Sequence, residues 1–216
     1  MMKKFNCYLL LLALCFSLCA CGKAKEKETE ASEETAEETT LSSTQNYPGA
    51  IRVTVPGSES YETFGVMHGF ILDVQTDDGK HPVLTVRDDE DPENAWTVDT
   101  AFVKDVAAVP EKGGRAALFF YGDIENDPDS VEMLAVWPDG NYAIRVVDGV
   151  TAENTVDDFT VRENGRQTGL RFLKNNCLAD KDTTGSSEAV GVRVVYVESG
   201  AAVKYPLRIC RNTEGE

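Results

Sequence analysis

Alternation of apolar and polar residues dominates the chain from residue 47 onward. The segment LTVR begins at Leu84, and the segment FTVR, which begins at Phe159, repeats its alternation. A period of two places Leu84 and Val86 on one face of a strand and Thr85 on the other. The pattern therefore predicts β-strands that each bury one face.

Each half of this region contains five strand-like runs, rich in Val, Thr, Phe and Tyr and separated by Gly, Asp, Asn and Pro. In the first half we predict strands at residues 66–74, 82–87, 95–99, 115–121 and 131–136. In the second half we predict strands at residues 142–152, 158–162, 169–173, 189–197 and 202–210.

The two halves also align with each other. HGFILDV from His68 faces DGVTAEN from Asp148, and RAALFFYG from Arg115 faces VRVVYVES from Val192. Trp96 falls opposite Leu170, which favours a core position for the indole. We interpret the halves as two copies of one small β-domain, at residues 47–140 and 141–216.

Residues 100–109 place Phe102, Val106 and Val109 at helical spacing, which predicts a short helix after the third strand of the first copy. Five strands with a helix after the third resemble the order of elements in the OB-fold, a small Greek-key barrel. The fold prediction is therefore all-β and mainly antiparallel, with two tandem five-stranded OB-like barrels. A single β-sandwich assembled from both halves is the alternative.

The N-terminus has the features of a secretory signal. Lys3 and Lys4 precede an apolar run at residues 9–18, which is too short to span a bilayer as a helix. The residues that follow, Leu-Cys-Ala-Cys at 18–21, resemble the lipobox of bacterial lipoproteins. This resemblance implies a signal peptide at residues 1–20 and lipidation of Cys21. It also implies anchoring to the extracytoplasmic face of the bacterial cell membrane.

Residues 21–46 contain mostly Glu, Thr, Ser, Ala and Lys, with a single Leu. Such a segment buries too little apolar surface to offset the entropy of ordering. We therefore predict a disordered acidic tether between the lipidated cysteine and the first β-domain.

The chain carries 37 Asp and Glu against 21 Lys and Arg, a net charge of -16. The acidity is concentrated in the first copy, where 19 acidic and 6 basic residues give a net charge of -13. The second copy has 11 acidic and 10 basic residues, a net charge of -1. Nucleic acid is not an expected partner, because phosphate binding needs a basic surface.

Cys177 and Cys210 are the cysteines that remain after the lipobox, and outside the membrane such a pair predicts a disulfide. Two unpaired thiols are the alternative. The structure of the first copy does not depend on this bond, since that copy has no cysteine.

No motif pairs a nucleophile with a base, and His68 and His81 are the chain's only histidines. We therefore expect no enzymatic activity and no required cofactor. The acidic loops DDEDPEN from Asp88 and DIENDPDS from Asp123 offer oxygen ligands that calcium prefers. The calcium candidates are Asp88, Asp89 and Asp91, although neither loop follows the EF-hand pattern.

What remains is a non-catalytic binding or scaffolding module at the cell surface. In an OB-like fold the ligand face would use the second and third strands and the adjoining loops. These segments carry Arg87, Arg162, Arg166 and Arg171. Expected partners are a cell-wall polymer, a glycan or an envelope protein. The alternatives are an envelope-polymer hydrolase that uses paired carboxylates and a regulatory subunit of an envelope assembly. The oligomeric state does not follow from the sequence.

The lipobox generates a direct prediction for Cys21. Replacing it with Ala removes the sulfur that receives the diacylglyceryl group, so we expect the protein to be released or to remain unprocessed. Metabolic labelling with a radioactive fatty acid measures this. Label incorporated into the Cys21→Ala variant would contradict the prediction.

Overall fold

The structure, a computed structural model, describes residues 47–76, 79–107, 110–174, 177–181, 183 and 188–213. The predicted signal peptide, Cys21 and the tether lie outside these residues. The strands are β1 Ile51–Thr54, β2 Tyr61–Gln75, β3 Val83–Asp88, β4 Ala95–Asp99, β5 Asp105–Val106, β6 Arg115–Tyr121, β7 Glu132–Pro138, β8 Ala143–Ala152, β9 Asp158–Glu163, β10 Arg166–Leu173, β11 Leu178–Ala179, β12 Gly191–Glu198 and β13 Val203–Arg211. A 3₁₀ turn at Pro128–Ser130 precedes β7.

The prediction of an all-β fold is confirmed. The described residues contain no α-helix, and therefore none that is long and apolar enough to cross a membrane. The short helix predicted at residues 100–109 is wrong where the structure describes it, because residues 105–106 form β5 and pair with β7. Phe102 is 80% exposed and so cannot anchor a buried helix face. Val109 lies outside the described residues.

Each half of the chain builds its own sheet. The first has the strand order β4-β3-β2-β6-β7-β5, with β1 beside β2, and the second has the order β10-β9-β8-β12-β13-β11. In the second sheet β10 also pairs with β13, which joins five strands into a closed ring. This is the small OB-like barrel that the sequence predicts. In the first sheet no pairing between β4 and β7 occurs in the described part of the chain.

Two glycines at matching positions of the halves have the same packing surroundings. A Cβ on Gly69 would lie 2.5 Å from the Arg87 carbonyl oxygen and 2.6 Å from Cγ1 of Val86. A Cβ on Gly149 would lie 2.2 Å from the Arg162 carbonyl oxygen and 2.6 Å from Cγ1 of Val161. The LTVR and FTVR segments therefore cross a glycine of the preceding strand in the same way. Only glycine permits this close approach.

The strand ladders correct the sequence alignment by one residue in the fourth strand of the repeat. Gly69 pairs with Ala116, and Gly149 pairs with Val192. Ala116 therefore corresponds to Val192, whereas the sequence comparison set Arg115 against that residue. Both copies also have a bulge at the same place, where Leu134 of β7 and Leu207 of β13 are left out of the pairing.

A shared core joins the two barrels. Its buried side chains come from the same strands of the two copies, namely Phe64, Val66, Ala117, Phe119, Leu134 and Ala135 from the first copy and Ile144, Val195, Val197, Tyr205 and Leu207 from the second. Val53 of β1 adds to it. Equivalent surfaces pack on each other, as in the isologous interface of a two-fold dimer. Separate cores fill each barrel.

Polar contacts at the edge of the shared core also connect the copies. The Arg208 guanidinium lies 3.2 Å from Glu62 of the first copy and 2.7 Å from Asp180 of the second. Arg193 donates to the Thr54 carbonyl oxygen at 2.6 Å and forms an ion pair with Asp148. Because Arg208 and Glu62 are both mostly buried, water screens this ion pair only partly.

The predicted disulfide is not formed, and Cys177 and Cys210 are free thiols. Leu178 of β11 lies opposite Arg208 of β13. Cys177 is therefore about three residues, or ~10 Å along the strand, out of register with Cys210. A disulfide needs Cα atoms within about 7 Å of each other. Burial raises the pKa of both thiols to about 11, which keeps them protonated at neutral pH.

Candidate functional site

An open cleft of about 870 Å³ lies at one end of the first barrel. Three separated segments line it: Tyr47 and Pro48; the β3–β4 connection with Asp88, Glu90, Asp91, Asn94 and Trp96; and the β6–β7 connection with Ile124, Glu125, Asn126 and Pro128. Four of these side chains are carboxylates, and none of the described lining residues is basic. The two acidic loops that the sequence analysis singled out therefore meet at one site.

Tyr47 and Asp88 form the inner wall of the cleft. Asp88 is only 2% exposed, and its Oδ1 accepts a hydrogen bond from the Tyr47 hydroxyl at 2.8 Å and one from the Glu90 backbone N–H at 2.9 Å. The Tyr47 ring packs edge-on against Phe120 with ring centroids 5.7 Å apart. Burial, together with the hydrogen bond to Asp88, raises the pKa of the Tyr47 hydroxyl well above its ordinary value.

Trp96 is partly buried against the core of the first barrel and also contacts the cleft. The prediction that its indole belongs to the core is thus consistent with its packing. Its Nε1 is buried and has no hydrogen-bond partner in the described part of the chain. The side chain supplies apolar surface to the cleft.

Local hydrogen bonds determine the shape of the β6–β7 connection. The side-chain amide of Asn126 donates to both carboxylate oxygens of Asp123 at 2.9 Å, and its backbone N–H donates to the same side chain at 3.1 Å. These bonds to Asn126 lower the pKa of Asp123. Pro128 then begins the 3₁₀ turn. The loop therefore presents Glu125 to the cleft on a closed turn.

Arg115, a basic side chain that reaches the β3–β4 loop, is already paired. The Arg115 guanidinium forms an ion pair with Asp89 and a second one with Asp139 at 2.7 Å. His68 also lies 2.8 Å from Asp139. The Arg115 hydrogen bond lowers the pKa of Asp139 below its ordinary value. Arg115 is thus neutralised locally and leaves the negative charge of the cleft uncompensated.

The calcium candidates do not converge. Asp88 is held by Tyr47 and Asp89 by Arg115, while Asp91 is exposed at the cleft. Among the residues that the structure describes, no group of three or more His, Cys, Asp or Glu side chains is placed to hold a metal ion.

The four predicted ligand-face arginines do not form one surface. Arg87 stacks on the Phe70 ring, with its Cζ 5.5 Å from the ring centroid. Arg171 forms ion pairs with Asp158 at 2.9 Å and Glu153 at 3.4 Å. Arg162 and Arg166 are exposed on β9 and β10. Because Arg162 pairs with Gln167 and Arg166 pairs with Glu163, their side chains leave opposite faces of the hairpin.

The sequence analysis did not predict Tyr47, Asn94 or Ile124 as site residues. Each is an ordinary core or turn residue in its own segment, and only the tertiary fold brings the three segments together. The clustering of acidic residues in two loops of the same copy was the one signal of the cleft that the sequence offered.

The Tyr47 hydroxyl generates a stability prediction. Replacing Tyr47 with Phe removes one of the two hydrogen bonds to the buried Asp88 carboxylate, so we expect the free energy of unfolding to fall by about 1.5 kcal/mol. Tyr142→Phe is the matched control, because the Tyr142 hydroxyl donates to the Pro138 carbonyl at an exposed site. Urea unfolding measures both variants. Equal stability of Tyr47→Phe and the unaltered protein would contradict this role for Tyr47.

Comparison with known proteins adds no relative: no protein-family model matches the chain, and no curated protein or solved structure matches it significantly. The chemistry of the cleft is therefore the basis for a functional assignment.

Proposed function

We propose that this protein is a lipid-anchored lipoprotein on the extracytoplasmic face of the bacterial membrane, and that it acts as a non-catalytic binding module. Its ligand site is the cleft of the first barrel. The observation that carries the proposal is the composition of this cleft, in which four carboxylates and two aromatic side chains surround an open volume, with no basic side chain among the described lining residues.

The cleft has the general form of a recognition site. Ligand sites in proteins are concave, with apolar walls and a few polar groups that orient the ligand. Here Tyr47, Trp96 and Ile124 supply the apolar surface, and Asn94 and Asn126 supply amide groups. The carboxylates Glu90 and Glu125 are exposed on opposite loops and would face a ligand from both sides.

The charge of the first copy restricts the ligand further. Its net charge of -13 gives the surroundings of the cleft a negative potential. Anionic wall polymers and nucleic acids would therefore be repelled. Cationic or uncharged components of the cell envelope are the favoured ligands.

The sequence supports the location and the absence of catalysis. The lipobox resemblance at Cys21 implies a lipid anchor, and no nucleophile–base motif occurs in the chain. A protein held at the membrane by lipid and tether would present its cleft to envelope components rather than to the cytoplasm.

A binding experiment with a matched pair of variants tests this function. The full-length protein, purified from membranes in detergent, is titrated with cell-wall fragments, glycans and fractionated envelope proteins. Glu90→Gln combined with Glu125→Gln removes two cleft charges. Glu59→Gln combined with Glu111→Gln removes two exposed charges that do not line the cleft. The cleft variant loses two ion pairs with a cationic ligand, so we expect its affinity to fall about fivefold. The control variant should bind as tightly as the unaltered protein.

Two results would contradict the proposal. If the cleft variant and the control variant had equal affinity for every ligand that binds, the cleft would not be the ligand site. A change in the mass of a bound ligand, followed by mass spectrometry, would show turnover and so contradict a purely binding role.

A further inference from the structure

The strand β4 has an open edge toward the cleft. At one end of the β3–β4 ladder the Asp88 N–H donates to the Asn94 carbonyl, and at the other end the Thr100 N–H donates to the Pro82 carbonyl. In an antiparallel ladder every second residue pair is hydrogen-bonded, so the bonded pairs between these ends are those of Trp96 and Val98 with β3. Trp96 and Val98 therefore direct their backbone groups toward β3. Ala95 and Thr97 direct theirs away from it, and within the described chain β4 pairs with no strand on that side.

The second copy closes the same edge. Val98 pairs with Leu84 in the first copy, and Phe172 pairs with Phe159 in the second. Since Leu84 and Phe159 are equivalent, so are Val98 and Phe172, and the preceding residues Thr97 and Arg171 correspond as well. Arg171 and Phe172 pair in parallel with Val203 and Lys204 of β13. In the first copy the residues equivalent to Val203 and Lys204 are Ser130 and Val131, which belong to the 3₁₀ turn and its C-cap. These residues precede β7, so the parallel pairing that closes the second barrel does not form there.

We propose that the open edge of β4 binds an extended, lysine- or arginine-bearing segment of another envelope protein by strand addition. This inference rests on the proposed function, because it names the ligand class of the same cleft. An added strand would bond through its backbone to Ala95 and Thr97. Its alternate side chains would point to one face, where Glu90, Asp91 and Glu125 line the cleft.

Charge complementarity selects this occupant. A basic segment would meet a domain with a net charge of -13, whereas an acidic segment would be repelled. A second copy of the chain is disfavoured, since its own β4 lies in the same acidic surroundings. Natural sheet edges are commonly blocked by Lys or Pro, and β4, with the sequence AWTVD, contains neither.

The test uses the full-length protein and four probes. They are a hexapeptide of alternating lysine and valine, the same peptide N-methylated on alternate residues, a hexapeptide of alternating glutamate and valine, and spermidine. N-methylation removes backbone donors without changing charge, and spermidine carries charge without a peptide backbone. Isothermal titration calorimetry measures each affinity.

Two variants test the protein side. Thr97→Pro removes the outward backbone N–H while the bonds to β3 are kept, and Thr97→Ala is the control that retains this N–H. Thermal melting verifies that Thr97→Pro is folded; if it is not, the N-methylated peptide provides the same test of backbone pairing.

We expect the lysine–valine peptide to bind, and N-methylation or Thr97→Pro to weaken it about tenfold through the loss of about two backbone hydrogen bonds. Glu90→Gln with Glu125→Gln should weaken it about fivefold, and Thr97→Ala should have no effect. The glutamate peptide and spermidine should bind at least about tenfold more weakly.

Strand addition would be overturned if spermidine bound as tightly as the lysine–valine peptide and N-methylation of the peptide did not weaken its binding. The cleft would then be a simple cation site. Absence of binding by the lysine–valine peptide would also overturn the inference. The proposed function fails separately, if the cleft variant binds every envelope ligand as tightly as its control variant does.

Discussion

Burial of equivalent outer faces against each other is the constraint on which the rest of the structure depends. In each copy, the first, fourth and fifth strands of the barrel contribute side chains to the shared core, and the bulge residues Leu134 and Leu207 are part of it. These strands therefore carry apolar residues on both faces, one toward the barrel interior and one toward the other copy. The second and third strands and their connections are the parts of each barrel that stay available for ligands.

The two copies differ in the pairing that closes the barrel, and the first copy also has the additional strand β1. The second barrel is closed by the pairing of β10 with β13. Cys210 is buried in it, and Arg171 forms an ion pair with Asp158. The first barrel has the 3₁₀ turn Pro128–Ser130 where the second barrel has the start of its last strand. The cleft lies between the β3–β4 and β6–β7 connections of this open barrel, and four carboxylates line it. The chain therefore contains one half that is closed and nearly neutral and one half that is open and acidic.

Much of this architecture could be predicted from the sequence, because strands that bury one face show their alternation directly. Leu84 and Val86 match Phe159 and Val161, and all four are fully buried. The fourth strand of the first copy, β6, does not show this alternation. Residues 116–120 are all buried, so no polar position marks which residues share a face, and the alignment with β12 slipped by one. The helix prediction failed because Phe102 is exposed and the apolar spacing there was incidental.

The candidate site was less accessible to sequence reasoning, because its lining residues lie on three segments up to about 80 positions apart. The acidic loops were recognised, but as separate calcium candidates, since nothing in the sequence reveals that Asp88 binds Tyr47 or that Asp89 binds Arg115. The disulfide was predicted from cysteine count alone, which cannot reveal the register of β11 on β13. Tertiary pairing decided each of these outcomes.

The open first barrel beside the closed second barrel is the central claim, and amide hydrogen exchange resolved by NMR tests it most directly. Thr97 and Arg171 occupy equivalent positions, and in both ladders their N–H groups point away from the neighbouring hairpin strand. The account predicts rapid exchange of the Thr97 amide and strong protection of the Arg171 amide, which β13 covers. Equal protection of the two amides would contradict it, because the edge of β4 would then be paired and no strand could be added there.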